Sequence, residues 1–282
     1  MNAATQTARA LRSYAAATKH AAANCHDRSL LERFGTSEER LVFVVGSPRS
    51  GTTFLGRTIG GLPGFSDLSE VTPLKTAIPQ LVGVAEAQAA QQFRRILERV
   101  RHLGLVHTLR SVEQTPETSF VLAAALSAYP QARALHIVRD GRDVVCSLLE
   151  RGWLKTARSG RDDAGQDYGA QVRFWVEADR AQEFGKVSDA TRAAWAWRRY
   201  VEAVRQIDER VLELRYEQLV SDHESVTRAI ADSLDTDPAL ILAGLAKAHG
   251  RSIGRYKSDL TAEQLADVER EAGTLLAELG YS

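Results

Sequence analysis

The stretch LVFVVGSPRSGTTFLG constrains the fold more than any other, because an apolar run leads directly into a glycine-bearing loop and a helix signal. The run 41–45 predicts a buried strand, and the residues from about Ser50 predict a helix. Gly46 and Gly51 are five positions apart, as in the phosphate-binding pattern G-x-x-x-x-G-K-[ST]. Backbone N–H groups of such a loop point at an anion together with the helix N-terminus. The stretch therefore predicts a strand, an anion-binding loop and a helix.

This loop lacks the lysine that contacts the β- and γ-phosphates in nucleoside-triphosphate sites, and Thr52 stands in its place. The cation lies inside the loop at Arg49, whose planar guanidinium can bridge two anionic oxygens. We therefore expect a phosphate-like group held without magnesium. A magnesium-dependent P-loop kinase is a disfavoured alternative, and a loop that merely connects two elements is another.

The same order of strand, loop and helix recurs along the chain. The strand ARALHIV is followed by Arg139, the turn DGRD and a helix over 144–151, and VLELRYEQLV reads as a strand entering a helix. Further helices are predicted over about 4–34, 72–103, 116–127 after a Thr115 cap, twice within 166–207, and over most of the C-terminal part outside HGRSIGRYKSD. The pattern predicts an α/β fold with a parallel sheet flanked by helices, with additional helical cap segments and ligands beyond the carboxyl ends of the strands.

Composition narrows the classes of partner. The 282 residues are 44% hydrophobic, which suffices for one large domain, or one domain with a helical cap. The formal net charge is zero, so we expect no nucleic-acid or anionic-membrane partner. Cys25 and Cys146 lie far apart without a CxxC pattern, which argues against a disulfide framework and a zinc site. No apolar run approaches the length of a membrane span, so we expect a cytoplasmic protein. Arginine greatly outnumbers lysine, which is typical of a bacterial gene rich in G and C.

Two motifs together resemble a known family. GSPRSGTTFL resembles the 5′-phosphosulfate loop of P-loop sulfotransferases, which use 3′-phosphoadenylyl sulfate (PAPS) and release PAP. ALHIVRDGRDVVCSLL resembles the second signature of that family, an apolar strand and an arginine with a serine eight positions later, although RDGRD alone could be a solvated turn. The resemblance implies a 5′-phosphosulfate site at Arg49, Ser50, Gly51, Thr52 and Thr53, and a 3′-phosphate site at Arg139 and Ser147.

Later segments extend the resemblance weakly. LRYEQLV and SIGRYKSDLT are similar to family segments that pack near the nucleotide, which makes Tyr216, Arg255 and Tyr256 lesser candidates for nucleotide binding. The resemblance implies one sulfotransferase domain over 1–282, in which 1–40 form an N-terminal helical segment.

The acceptor is expected to bind within the helical cap, at 153–208. This segment is rich in aromatic residues that could line an apolar pocket, although at helix spacing such residues usually belong to a core. We expect a small hydroxylated acceptor rather than a protein tyrosine. A homodimer is compatible with the sequence, which does not decide the oligomeric state.

Sulfuryl transfer resembles phosphoryl transfer, an in-line displacement that depends on positioning and charge stabilisation. Arg49 is expected to offset charge on the departing phosphate. Glu70, 21 positions later, is similar in placement to the catalytic glutamate of tyrosylprotein-type sulfotransferases, although it could instead be an acid at a helix start capped by Thr72. His107 is the alternative base, while His136 lies in an apolar strand and favours a core position.

The chain departs from the family at Gln114. Related sequences carry a lysine before Thr-Pro that assists the leaving group, whereas EQTPE here offers a neutral amide. Arg49 then acts alone, or Lys75, Lys155 or Arg158 supplies a second cation. A non-catalytic protein that binds PAP remains the alternative to a sulfotransferase.

Overall fold

A five-stranded parallel sheet forms the centre of the fold. The computed structural model describes residues 3–25, 29, 31–162, 165–207 and 210–281. The strands are β1 (Val42–Val45), β2 (Phe65–Ser69), β3 (Arg110–Glu113), β4 (Arg133–Val138) and β5 (Val211–Arg215). Their spatial order is β2-β3-β1-β4-β5, and each neighbouring pair is parallel. The predicted α/β class with a parallel sheet is confirmed.

Helices cover the sheet. They are α1 (Ala3–Ala23), α2 (Thr52–Gly60), α3 (Thr72–Leu81), α4 (Glu86–Leu103), α5 (Leu122–Ala128), α6 (Gly141–Arg151), α7 (Ala181–Phe184), α8 (Asp189–Arg205), α9 (Tyr216–Ser221), α10 (His223–Leu234), α11 (Pro238–Leu245), α12 (Tyr256–Asp259) and α13 (Ala262–Glu278). Short 3₁₀ helices occupy Leu31–Phe34, Pro116–Val121 and Ala178–Arg180. Within the described part of the chain, no helix has the length and apolar character needed to cross a bilayer.

The central strand β1 is buried on both faces, as its unbroken apolar run predicts for a parallel sheet. Because side chains alternate across a strand, Phe43 packs in the cluster that contains α4 and α5, whereas Val44 packs in the cluster that contains α2 and α10. Phe43 contacts the Phe93 ring edge-on, with 5.6 Å between the ring centroids. The loop after β1 is therefore anchored by the most deeply buried strand of the sheet.

The sequence did not reveal β2 and β3, because polar residues interrupt both. Ser66 of β2 and Ser111 of β3 are buried, and their hydroxyl groups are hydrogen-bonded to each other at 3.2 Å. The Nε of Arg101 in α4 also donates to the Ser111 hydroxyl at 3.0 Å. These hydrogen bonds satisfy the buried hydroxyl groups. Because the partners lie in other elements of the chain, the local sequence of each strand does not show that its serine can be buried.

Three helix predictions differ from the structure. The helical stretch predicted over 72–103 is divided by residues 82–85 into α3 and α4. The predicted helix over 4–34 ends at Ala23. The first of the two helices predicted within 166–207 is absent from the described residues there, which run through turns and a short 3₁₀ helix before α7 and α8. Gly165 and Gly169 both have positive φ, which interrupts a helix in this segment.

Candidate active site

The loop between β1 and α2 requires glycine at both ends. Gly46 has φ 144°, and a Cβ there would lie 2.4 Å from the carbonyl oxygen of Ile137 in β4. Gly51 has φ 104°, and a Cβ there would lie 2.7 Å from Cδ2 of the Tyr216 ring. Both distances are too short for any side chain, so the spacing of the two glycines is set by the close approach of β4 and α9 to the loop.

Arg49 joins this loop to the second signature. It has φ 75°, a left-handed conformation that is uncommon for a non-glycine residue, and its side-chain Nε donates a hydrogen bond to the Ser147 hydroxyl at 2.9 Å. Burial and the positive charges of Arg151 and Arg139 lower the pKa of Arg49. The loop therefore lies in a concentrated positive field that favours an anion.

Arg139 follows β4 and is almost fully buried at 5% exposure. Its Nη1 lies 3.4 Å from the carbonyl oxygen of Arg49, its guanidinium lies 4.7 Å from the centre of the Tyr216 ring, and its Nη2 lies 3.7 Å from Oδ2 of Asp143. The indole Nε1 of Trp197 donates to the Arg139 carbonyl at 3.0 Å. These contacts hold the guanidinium beside the glycine loop.

The C-terminal loop is fixed to the start of α6 by Asp143, a residue that the sequence analysis missed. The Asp143 carboxylate is fully buried and accepts hydrogen bonds from the backbone N–H of Gly254 at 2.8 Å and of Tyr256 at 3.1 Å. The Arg139 side chain also donates to the carbonyl of Ser252. Arg255 pairs with Glu150 and Asp259. Tyr256 and Arg255 therefore lie next to the second signature.

The remaining predicted nucleotide-binding residues lie at the start of α2. Ser50 and Thr52 are buried, and Thr53 is exposed. The backbone N–H of Ser50 donates to the Ser47 carbonyl at 3.1 Å. The Ser50 hydroxyl has no hydrogen-bond partner among the residues that the structure describes. The structure thus collects the predicted residues of both signatures at the carboxyl ends of β1 and β4.

A cavity of about 310 Å³ opens beside Pro48 of the loop. Its aromatic lining comes mainly from the predicted cap segment and consists of Trp153, Tyr168, Phe174, Trp175 and Tyr200. Its charged lining consists of Glu70, Lys75, Glu117, Asp162 and Arg173. The cavity therefore combines flat apolar walls with charged groups next to the anion site.

Glu70 follows β2 and lies between the loop and the cavity. Its Oε2 accepts a hydrogen bond from Nζ of Lys75 at 2.9 Å, and 37% of its side chain is exposed. Its negative charge also reaches Arg49, where it partly opposes the lowering of the Arg49 pKa by burial and by Arg151 and Arg139. The helix cap that could have explained Glu70 is not made, because the N-cap position of α3 is Val71.

Gln114 does not line the cavity. Its Nε2 donates to the Ser69 hydroxyl at 3.2 Å, and its side chain fills the space that a Cβ at Gly56 would need. The following Thr115 accepts a hydrogen bond from the backbone N–H of Val71 at 3.0 Å and makes no helix-cap bond. Gln114 therefore packs the turn after β3, and the cations near Glu70 are those of the cavity.

The two histidines lie elsewhere. His107 precedes β3, so it lies at the amino ends of the strands, opposite the glycine loop. Its ring stacks on His102 with centroids 4.2 Å apart, and its Nε2 lies 3.3 Å from the carbonyl oxygen of Gly35. His136 is buried in β4, 3.3 Å from Glu213. Burial lowers the pKa of both. The structure does not bring His107 to the predicted site, which leaves Glu70 as the candidate base.

Solved structures with the same fold are sulfotransferases at low sequence identity. The sulfotransferase domain from the curacin biosynthetic pathway matches with TM-score 0.53 and 14% identity over 85% of this chain and 98% of that one. The sulfotransferase domain of the Synechococcus PCC 7002 olefin synthase matches with TM-score 0.51 and 18% identity over 88% and 98%. Sulfotransferase STF9 from Mycobacterium avium matches with TM-score 0.50 and 15% identity over 88% and 79%. These likenesses concern the fold.

Sequence comparison supplies the family. No curated protein matches the chain significantly. The model of the sulfotransferase family matches residues 65–238, which is more than half of the chain. The matched region begins after the glycine loop and includes Glu70, Arg139, Ser147 and the cavity segment. The chain therefore belongs to the sulfotransferase family.

Proposed function

We propose that this protein transfers the sulfuryl group of PAPS to a hydroxyl group of a small acceptor. The observation that carries the proposal is the hydrogen bond between Arg49 Nε and the Ser147 hydroxyl, which joins the two nucleotide signatures at 2.9 Å. The cavity next to this contact supplies a place for the acceptor and a carboxylate, Glu70. The comparisons support sulfuryl transfer in general, and the donor and acceptor are inferred from the site.

The residues at the carboxyl ends of β1 and β4 fit a nucleotide with two anionic groups. Among the described residues, the buried Ser50 hydroxyl and Nε of the buried Arg139 have no hydrogen-bond partner. A buried donor without a partner costs about 1–3 kcal/mol, and a phosphate oxygen would remove that cost. We assign the 5′-phosphosulfate to Arg49 and the residues from Ser50 to Thr53, and the 3′-phosphate to Arg139 and Ser147. Tyr216, Arg255 and Tyr256 lie within reach of the same nucleotide.

PAPS supplies an activated sulfuryl group when it is bound, and the chain supplies positioning, charge and a proton acceptor. Glu70 takes the proton of the acceptor hydroxyl from the cavity side. Arg49 offsets the negative charge that grows on the departing phosphate. Lys75 holds the Glu70 carboxylate through the 2.9 Å hydrogen bond.

Lys75 is also the proposed replacement for the family lysine. Gln114 occupies the sequence position but packs against Gly56, whereas Lys75 lies in the cavity lining beside Glu70. Lys155 and Arg158 do not line the cavity. Since arginine, lysine and backbone donors supply the positive charge, the proposal predicts turnover in the presence of EDTA.

The test is a transfer assay with PAPS and a panel of phenols and alcohols, read by product mass and by PAP release. The wild-type protein should form a sulfated product, and Arg49→Ala should reduce kcat by about 10²–10³. Arg228→Ala, which changes a side chain that is 68% exposed, is the matched control. Tight PAP binding without turnover of any acceptor would favour the non-catalytic alternative. Transfer from ATP would indicate a kinase-like protein.

A further inference from the structure

Glu117 is a carboxyl group of the cavity lining to which the proposed reaction assigns no role. It lies in the 3₁₀ helix Pro116–Val121 after β3, and it lines the cavity together with Glu70 and Lys75. Its Oε2 atom is buried and has no hydrogen-bond partner within the described part of the chain. A buried carboxyl oxygen without a donor is costly, so the carboxyl group of Glu117 is not satisfied by its own turn, and the residue that carries it lines the cavity.

A neighbouring glutamate shows how a structural carboxyl group is satisfied in the same turn. Glu113 is fully buried at the end of β3. It accepts hydrogen bonds from the backbone N–H of Thr115 at 2.6 Å and from the Thr118 hydroxyl at 2.9 Å. Glu113 therefore stabilises the turn, whereas Glu117 lines the pocket and leaves one buried carboxyl oxygen unpaired.

The charged groups around Glu117 favour a ligand that carries a hydrogen-bond donor. Among the residues that the structure describes, the cavity lining carries three carboxyl groups and two cations, Lys75 and Arg173. Burial raises the pKa of Glu117 to about 7; Lys75 opposes this rise, while Glu70 and Asp162 add to it. Lys75 already donates to Glu70, so one carboxyl group of the lining is in excess.

The walls of the cavity suit a ring. Phe174, Trp175 and Tyr200 present aromatic surfaces there, and aromatic surfaces favour stacked or edge-on contacts with another ring. The volume of about 310 Å³ lies at the lower end of the range for small-molecule sites. A single ring with a short substituent matches this space better than a protein segment does.

We propose that the acceptor is a small phenol or ring alcohol with a second group that donates an N–H or O–H hydrogen bond to the carboxyl group of Glu117. This inference rests on the proposed function, because it takes the cavity to be the acceptor site. Glu70 then receives the proton of the reacting hydroxyl, and Glu117 selects acceptors by their second polar group.

Three phenols that differ in one terminal group test this. 4-Propylphenol, 4-(2-hydroxyethyl)phenol and tyramine end in a methyl, a hydroxyl and an ammonium group. Their binding to PAP-saturated protein is measured by calorimetry, so the readout does not require turnover. We expect the wild-type protein to bind at least one donor-bearing phenol about tenfold or more tightly than 4-propylphenol.

Two substitutions identify the donor. Glu117→Leu removes the acceptor oxygen and should abolish the tenfold preference. Glu117→Gln keeps a neutral acceptor oxygen, so a preference for the hydroxyl phenol that survives in Gln and is lost in Leu indicates a neutral donor. A preference for tyramine that is lost in both indicates an ammonium group. Glu224→Gln, at a side chain that is 80% exposed, is the control.

The inference is overturned if the wild-type protein binds 4-propylphenol as tightly as the other two phenols, or if the preference is unchanged in Glu117→Leu. The comparison of the three phenols on the wild-type protein needs no variant, so it tests the inference even if a Glu117 variant fails to fold. If PAP binds and none of the phenols does, the inference is also wrong, while the nucleotide assignment stands. If PAP itself does not bind, the proposed function fails.

Discussion

The region that we propose for the nucleotide and the cavity that we propose for the acceptor are built in different ways, and we call them the nucleotide side and the acceptor side. On the nucleotide side, the glycine loop and Arg139 follow the adjacent parallel strands β1 and β4, and the main chain sets their positions. On the acceptor side, the cavity is formed by side chains from α3, the 3₁₀ helix at 116–121 and the irregular segment before α7. One side is thus fixed by sheet topology, and the other by the choice of side chains.

Because of this difference, we expect substitutions on the two sides to affect different properties of the protein. The glycine loop tolerates no side chain at Gly46 or Gly51, so substitutions there should damage nucleotide binding for every acceptor. The cavity lining can be substituted without moving β1 or β4, so changes there should alter which acceptor is used. Four measurements test this division.

The largest effect is expected at Glu70, where the two sides meet. Glu70→Gln keeps the size of the side chain but removes the proton acceptor, so kcat should fall by about 10²–10⁴. PAP affinity should change little. The measurement is steady-state kinetics with PAPS, combined with calorimetry of PAP. An unchanged kcat would show that Glu70 is not the base and that the reaction draws its proton acceptor from elsewhere.

The next effect concerns the nucleotide side alone. Arg139→Ala removes a buried guanidinium beside the glycine loop, and PAP affinity should fall about a hundredfold. Since Arg139 is nearly buried, the thermal unfolding of the variant must be compared with that of the exposed-site control Arg228→Ala. A folded Arg139→Ala protein that binds PAP normally would remove the 3′-phosphate assignment.

The acceptor side should respond to pH near neutrality. Burial raises the pKa of Glu117 to about 7, so its carboxyl group is mostly protonated at pH 6 and mostly ionised at pH 8. If the ionised form accepts the hydrogen bond, the preferred donor-bearing phenol should bind about tenfold more tightly at pH 8 than at pH 6. Calorimetry of the wild-type protein and of Glu117→Gln measures this. A pH response that persists in Glu117→Gln belongs to another group.

The smallest effect is expected at the aromatic wall. Trp153→Ala removes one ring from the cavity lining, and a lost aromatic contact is worth about 1 kcal/mol, or about fivefold in acceptor KM. PAP affinity should stay the same, because Trp153 does not belong to either nucleotide signature. An equal loss of PAP affinity would break the division between the two sides.

The sequence predicted the strand, glycine loop and helix at 41–60 for a physical reason. A buried parallel strand is a local apolar run, and the loop after it needs glycine where another strand approaches, so the information is contained in a few consecutive residues. The pairing of β1 with β4 then brings Nε of Arg49 within 2.9 Å of the Ser147 hydroxyl, a contact that the sequence did not predict.

The cavity lined by the aromatic segment was predicted only in outline. The aromatic segment does line a cavity, but its polar groups come from elements that the sequence does not connect, such as Glu117 after β3 and Lys75 in α3. His107 was placed near the site because its strand was not recognised. Once β3 is known to begin at Arg110, His107 must lie at its amino end, away from the loop.

The metal-free nucleotide site at the glycine loop and Arg139 is tested most directly by calorimetric titration of the protein in EDTA with PAP, followed by titration with ATP and magnesium. We expect tight PAP binding without metal, loss of that binding in Arg139→Ala, and weak binding of ATP. Binding that requires ATP and magnesium, with no response to PAP, would contradict this expectation, and would show that the loop GSPRSGTT serves a nucleoside triphosphate.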